Sequence, residues 1–307
     1  MKTKVQIKLI IFSLFISISM MGQAPTTLPT FKDVSYGPYK EQILDFWKPE
    51  STTSTPVIIS IHGGGWLHGP IDPFKAFDQY FLDKKVAIVH ITYRFTSEYP
   101  LPAPVYDAAR AVQFVRYKAK EWNIDPKKIV VTGFSAGGCS SLLLATGEDM
   151  ANPKSKDPVE RESSSVLAVS AIAAQTTLMP DEVLEWVGQK ALNHPMNCRA
   201  GGFKNNEEML EAMKQEKVKK LYKDFSPIHR LSTKTVPVLL EYAPLAPVGE
   251  GDIHGAAYGI KFKEKADQLG LRSCYLKINK SEQYTGYPGG RIAFIESIFS
   301  ATNKGVK

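Results

Sequence analysis

Six short, almost unbroken apolar runs recur along the chain, and the segments between them switch to helical periodicity. The runs are "PVIISIH" (56–62), "VAIVHITY" (86–93), "IVVTG" (129–133), "VLAVSAIA" (166–173), "VPVLLEY" (236–242) and "SCYLKI" (273–278). Runs that are apolar at both parities predict strands buried on both faces rather than strands with one wet side. Between them, Val105, Ala109, Val112, Val115 and Ala119 share one helical face. Tyr258, Phe262, Ala266 and Leu269 share another, with Gly270 placed to end that helix, and Ile292, Ile295, Ile298 and Phe299 repeat the pattern near the C-terminus. The alternation predicts an α/β fold built on a mostly parallel, doubly wound sheet. Residues 31–47 are strand-like with no intervening helix and predict an antiparallel N-terminal hairpin on the sheet edge. Residues 174–232 break the rhythm. They are helix-prone and charged in their second half, and predict a helical cap insertion within a single domain, 25–307.

Residues 1–24 read differently. Lys2, Lys4 and Lys8 precede the apolar run "LIIFSLFISISMM", followed by small residues at Gly22 and Ala24, the order of a bacterial-type secretory signal peptide. The run is shorter than the roughly 18 apolar residues of a spanning helix, so an exported chain with no membrane span after cleavage is expected, an uncleaved anchor being the alternative. Loss of those lysines takes the formal charge from +7 to +4, too mild for a nucleic-acid partner, and no basic stripe interleaved with aromatics appears. Three cysteines, Cys139, Cys198 and Cys274, allow at most one disulfide.

Chemistry enters at "IVVTGFSAGG". Ser135 lies in Gly133-Phe134-Ser135-Ala136-Gly137, where a strand pattern gives way to a helical one. A G-x-S-x-G elbow in that context presents a serine hydroxyl outward from the sheet edge. The second signal is "IHGGGW", Ile61–Trp66, directly after a strand. Acyl transfer puts negative charge on a carbonyl oxygen, and fixed backbone N–H donors stabilise it with little reorganisation. Consecutive glycines let main chain approach closely, and the two motifs follow in the expected order about 70 residues apart. His62 is expected to pack beneath the turn rather than act.

On these motifs, together with "VSYGPYKEQILDFWKP", "ITYRFTSEYPLPAPVYDAARAVQFVR" and "IDPKKIVVTGFSAGG", the chain resembles the α/β-hydrolase superfamily, in particular the bacterial esterase/lipase group related to hormone-sensitive lipase. The resemblance covers nearly the whole chain after residue 24. It implies Ser135 as nucleophile, the amides of Gly64, Gly65 and Ala136 as oxyanion hole, and a small-molecule ester or acylated glycan as substrate, with no cofactor.

The resemblance also exposes two losses. The family acid follows the seventh strand, where Ala246-Pro247-Val248 now stands, and the family histidine follows the eighth, where "NKSEQYTGYPGG" carries Gln283 and no histidine. In a full triad, loss of the histidine costs about a million-fold in kcat, although an oxyanion hole alone leaves about a thousandfold over water. A substitute base is expected at His254 in "GEGDIHG", with Asp252 or Glu250 as orienting acid; a surface loop whose histidine caps the next helix is the alternative. His68 is a second pocket candidate. Trp66 and Tyr284 either line a substrate pocket or fill the core, and Trp186 is expected in the core or cap. His90 is expected in the core, while His194 and His229 are undecided. His68, Asp252 and His254 match no dedicated metal motif, so no metal is expected.

Two other functions compete with an ester hydrolase: a catalytically degenerate ligand-binding module, motivated by Ala246 and Gln283, and an interaction protein using the charged 204–223 segment.

Overall fold

The computed structural model describes residues 27–247 and 249–302; segment 1–24, expected from its sequence to be a signal peptide, lies outside them. The strands are β1 (Phe31–Ser35), β2 (Ile43–Trp47), β3 (Thr55–Ile61), β4 (Ala87–Ile91), β5 (Ile124–Phe134), β6 (Ala168–Ile172), β7 (Val238–Tyr242) and β8 (Cys274–Ile278). They form one sheet in the order β1-β2-β4-β3-β5-β6-β7-β8. The pairs β1·β2 and β2·β4 are antiparallel, and every pair from β4 through β3 to β8 is parallel. The mostly parallel sheet with an antiparallel N-terminal edge is therefore present, and each of the six apolar runs holds one strand.

Helices α1 (Ala76–Asp83), α2 (Ala103–Tyr117), α3 (Ala119–Trp122) and α4 (Ala136–Thr146) fall between strands of the first half. Between β6 and β7 lie α5 (Pro180–Trp186), α6 (Gln189–Leu192), α7 (Pro195–Ala200), α8 (Asn206–Ala212), α9 (Glu216–Asp224) and α10 (Pro227–Arg230). Helices α11 (Ala257–Gln268) and α12 (Gly290–Ala301) flank β8.

The alternation of side chains along each strand divides the apolar runs between two cores. Val57, Ile59, Val89, Val131, Val169 and Leu240 pack with residues of α2, α4 and α11. Their neighbours Ile58, Ile88, Val130, Ala168 and Leu239 pack on the other face with Phe81 of α1 and Phe294, Ile295 and Phe299 of α12. Each such aliphatic side chain, fully removed from water, contributes about 1.5–3 kcal/mol, which is why both parities are apolar. Helix α4, "AGGCSSLLLAT", is buried almost all round and has no amphipathic stripe to place, as a central helix requires. The three cysteines are buried and unpaired.

Candidate active site

Ser135 stands at the junction of β5 and α4, in the middle of the sheet at the C-terminal ends of the parallel strands, where open α/β sheets bind ligands. Its backbone has φ 54° and ψ −123°, a conformation that costs a non-glycine residue about 1–3 kcal/mol and turns its side chain out of the strand. Two hydrogen bonds hold it there: Ser135 N–H donates to Ile172 O at 2.9 Å, and Cys139 N–H to Ser135 O at 2.9 Å. The turn brings the start of α4 against the end of β3, an approach that the missing side chain of Gly137 permits. A Cβ on Gly137 would overlap the carbonyl oxygens of Ile61 and His62.

The glycine loop after β3 lies against this elbow, since a Cβ on Gly63 would stand 3.3 Å from Ser135 Cβ. Gly64 has φ +92° and passes so close to the His68 carbonyl that a side chain would collide with it. Several bonds fix the loop. Leu67 N–H donates to Gly64 O at 2.9 Å, Thr96 N–H to Trp66 O at 2.7 Å, and the Tyr93 hydroxyl to His62 O and Gly63 O at 3.0 and 2.7 Å. The Thr96 segment is in turn anchored through Arg94, whose guanidinium binds both oxygens of the buried Asp107 carboxylate. The amides of Gly64, Gly65 and Ala136 donate to no acceptor among the described residues, so donors stand free beside the serine. Ala136 opens α4, where the N–H has no intrahelical partner.

His62 packs beneath the loop. It is buried, stacked on Tyr93, and bridged from Nδ1 to Gly63 O at 2.7 Å and from Nε2 to Thr92 Oγ1 at 3.0 Å. Burial holds its pKa down, so it is neutral: Nδ1–H donates to the carbonyl and Nε2 accepts from threonine.

One imidazole reaches the serine hydroxyl. His254 Nε2 lies 2.9 Å from Ser135 Oγ. Ser135 is only 5% exposed, its oxygen turned to this imidazole. His254 comes from the loop after β7, and the insertion holds that loop: Gly188 and Glu250 form an antiparallel bridge, Gly251 N–H donates to Val187 O at 3.0 Å, and Gln175 Nε2 donates to Ile253 O at 2.6 Å. The Phe134 ring, 46% exposed beside the serine, packs on the imidazole with centroids 5.3 Å apart and planes tilted 31°. Burial lowers the His254 pKa below its ordinary value, and Asp252 pulls it partly back up.

Several sequence expectations need correction. Asp252 does not orient the imidazole: its Oδ1 accepts the main-chain N–H of His254 at 2.9 Å, because a carboxylate two residues upstream reaches the backbone before the ring. Glu250 is exposed and its backbone is committed to the bridge with Gly188. No described side chain hydrogen-bonds His254 Nδ1. Trp66 is not a substrate contact; it is wholly buried and its Nε1–H donates to Ser140 Oγ at 2.9 Å, tying the glycine loop to α4. Tyr284 does not enter the cleft at His254. Its carbonyl accepts Ile278 N–H and its amide binds Ser281 Oγ, folding the loop after β8 back on that strand, with the ring against the core. Gln283 in the same loop is exposed. His68 is exposed beside Gly64 and makes no hydrogen bond with a described residue.

His90 is buried between Asp72 O and Asp78, and His229 pairs with Glu182 in the insertion. His194, undecided from sequence, reaches the site: its Cε1 lies 3.4 Å from where a Cβ on Gly65 would stand. Neither His194 nor Phe134 was legible as a site residue, although an aromatic at the second position of the elbow was the available signal for Phe134.

A cleft of about 620 Å³ opens beside His254, lined by Phe134, Lys190, Ala246, Glu250, Asp252 and Asn279 among others. Another opening, of about 760 Å³, lies at the C-terminal end of α4 around Thr146, Asp149 and Arg230, away from Ser135. No group of three or more His, Cys, Asp or Glu residues among those described is arranged to hold a metal ion.

Residues 44–243 match the BD-FAE family model. Carboxylesterase NlhH of Mycobacterium tuberculosis is 34% identical over 101 residues, covering 33% of this chain and 32% of that protein. An arylesterase of Saccharolobus solfataricus is 33% identical over 101 residues, with 33% and 32% covered. The chain thus aligns with about a third of the length of these curated relatives. Among solved structures, a truncated carbohydrate esterase from gut microbiota superposes with TM-score 0.65 at 20% identity, covering 92% of this chain and 99% of that one. An acetyl ester-xyloside bifunctional hydrolase from Caldicellulosiruptor lactoaceticus gives TM-score 0.61 at 24% identity, covering 83% and 82%. These likenesses establish the α/β-hydrolase fold.

Proposed function

The chain belongs to the BD-FAE family, and from that premise we propose that it is an exported serine carboxylic-ester hydrolase working through a Ser135–His254 dyad. The observation that carries this reading is the 2.9 Å approach of His254 Nε2 to Ser135 Oγ. It lies within the reach a general base needs, and the lowered pKa keeps the imidazole unprotonated at neutral pH.

Ser135 Oγ bonds to the ester carbonyl carbon while its proton passes to His254 Nε2, and the carbonyl oxygen takes up the negative charge beside the amides of Gly64, Gly65 and Ala136. Collapse breaks the bond to the alkoxy oxygen, which leaves as an alcohol with the proton from His254. Water then repeats the sequence on the acyl-serine: its proton goes to His254, its oxygen bonds to the acyl carbon, and Ser135 recovers the proton as the carboxylic acid departs. Among the described residues no carboxylate orients the imidazole from Nδ1. The Phe134 ring and the bridged loop hold it instead, and an aromatic face stabilises the imidazolium formed in transit.

The cleft beside His254 supports a hydroxylated alcohol partner, since Lys190, Glu250, Asp252 and Asn279 offer it donors and acceptors. The names of the carbohydrate esterase and the acetyl ester-xyloside hydrolase point the same way, to short acyl groups on a glycan. Export rests on the Lys2–Ala24 pattern alone. A non-catalytic binding module would have no use for an imidazole seated on the serine oxygen. Hydrolysis of a short-chain aryl ester by the purified protein and by Ser135→Ala tests the reading: turnover confined to the unaltered protein is expected, and equal rates would sink it.

A further inference from the structure

His194 belongs to the insertion, yet its ring stands over the glycine loop. It precedes Pro195 and caps α7, its Nδ1 accepting the N–H of Met196 at 3.2 Å. A ring nitrogen that accepts carries no proton, so the neutral imidazole keeps its hydrogen on Nε2. That state is the favoured one. Burial and the neighbouring His254 imidazole hold the His194 pKa below its ordinary value, against a smaller upward pull from Asp252. Nε2–H has no acceptor among the described residues. The Cε1 edge, the carbon between the two nitrogens, lies 3.4 Å from a Cβ position on Gly65, which puts the ring against one of the glycines whose amides stand free. The half-buried ring thus lies against the glycine loop and within electrostatic reach of His254.

We propose that His194 is a further catalytic residue: its Nε2–H donates a hydrogen bond to the substrate's carbonyl oxygen as negative charge builds there. The inference rests on the ester-hydrolase reading and extends it, adding a side-chain donor from the insertion to the backbone donors of Gly64, Gly65 and Ala136. A neutral donor suits the task, because it stabilises the oxyanion without competing with His254 for the serine proton. The Met196 cap fixes which nitrogen carries that donor, so the helix start and the chemistry share one ring.

Two substitutions separate donor from cap. His194→Asn keeps a short oxygen acceptor for the Met196 N–H, as a good N-cap residue does, and removes the donor at the Nε2 position. His194→Gln restores an N–H near that position. With p-nitrophenyl acetate, the Asn variant is expected to lose about 100-fold in kcat with KM within about threefold, the pattern of a lost transition-state donor. The Gln variant is expected to stay within about tenfold of the unaltered protein. An Asn variant as fast as the unaltered protein, a loss confined to KM, or equal losses in both variants would each overturn the role. Ser135→Ala, assayed alongside, separates the two readings: activity that survives it removes the hydrolase reading and this one together, whereas Ser135-dependent activity indifferent to His194→Asn removes this one alone.

Discussion

The imidazole Nε2 of His254 lies 2.9 Å from the hydroxyl oxygen of Ser135, across 119 residues of sequence, and it arrives from the loop after β7. The resemblance places the family histidine one strand later, so under the proposed dyad the base would come from the loop that in the family supplies the acid. If this contact activates the serine, His254→Ala should lower kcat by about 10²–10⁴-fold, the usual worth of a positioned general base. His68→Ala, at an exposed ring with no hydrogen bond to the site, should leave kcat within about threefold. Steady-state kinetics on one short-chain ester checks both, and a reversed order would reassign the base.

The pH dependence carries a sign. Burial lowers the His254 pKa, and Asp252 opposes part of that shift. The imidazole acts unprotonated, so kcat/KM falls as pH drops through its pKa, and this acidic limb is expected below the ordinary imidazole value of about 6.5. Asp252→Asn removes the upward pull and should move the limb further toward acid by about a few tenths of a unit, the scale of a solvent-screened charge. The height of the profile should be largely kept, because asparagine retains an Oδ1 acceptor for the His254 main-chain N–H that Asp252 now binds. The diagnostic quantity is therefore the limb's position, and movement toward neutral pH would count against His254 as the titrating base.

The sheet could be read in advance because its strands are buried on both faces, and burial writes itself into composition: Val57, Ile58 and Ile59 serve two different cores and are all apolar. The elbow and glycine loop were legible for a related reason. Positions where main chain meets main chain, such as Gly137 under β3, exclude side chains and so leave glycine in the sequence. The orientation of His254 left no such trace. Whether Asp252 would reach the ring or the backbone depended on a turn of two residues, and only the geometry shows that it takes the backbone. Trp66 failed for a different reason: an indole beside a catalytic loop suits a pocket or a core equally, and the Ser140 hydroxyl that receives its N–H lies 74 residues away. His194 was invisible because the insertion has no periodicity that says which of its faces meets the site.

Close packing of the elbow predicts a stability effect separable from chemistry. A Cβ on Gly137 would overlap the carbonyl oxygens of Ile61 and His62, backbone atoms that end a central strand and cannot rotate away. Gly137→Ala should therefore destabilise the protein by about 1–3 kcal/mol or more, the cost of overpacking a rigid interior. It should also displace the glycine loop from Ser135, lowering kcat beyond what the folded fraction accounts for. Denaturant unfolding measures the first effect and single-turnover acylation the second; unchanged stability would mean that α4 can draw back from β3.

The last expectation concerns the acid that is missing. Ala246 stands where the sequence resemblance places the family's acid, and it lines the same cleft of about 620 Å³ as His254. The imidazole's Nδ1 has no hydrogen-bonding side chain among the described residues, so there is both a vacancy for a carboxylate and a group for it to bind. Ala246→Asp adds a carboxylate to the wall of that same cleft. Because removing the orienting acid from a complete triad costs about 10⁴-fold, recovery of even part of that effect should raise kcat by at least about tenfold. A carboxylate near the ring also favours the imidazolium, so the acidic limb should move toward neutral pH, opposite in direction to Asp252→Asn. The two readouts together decide the geometry. A raised limb with no gain in kcat would mean that the new carboxylate senses the ring's charge without directing its Nδ1–H, leaving Phe134 and the bridged loop to hold the imidazole for catalysis.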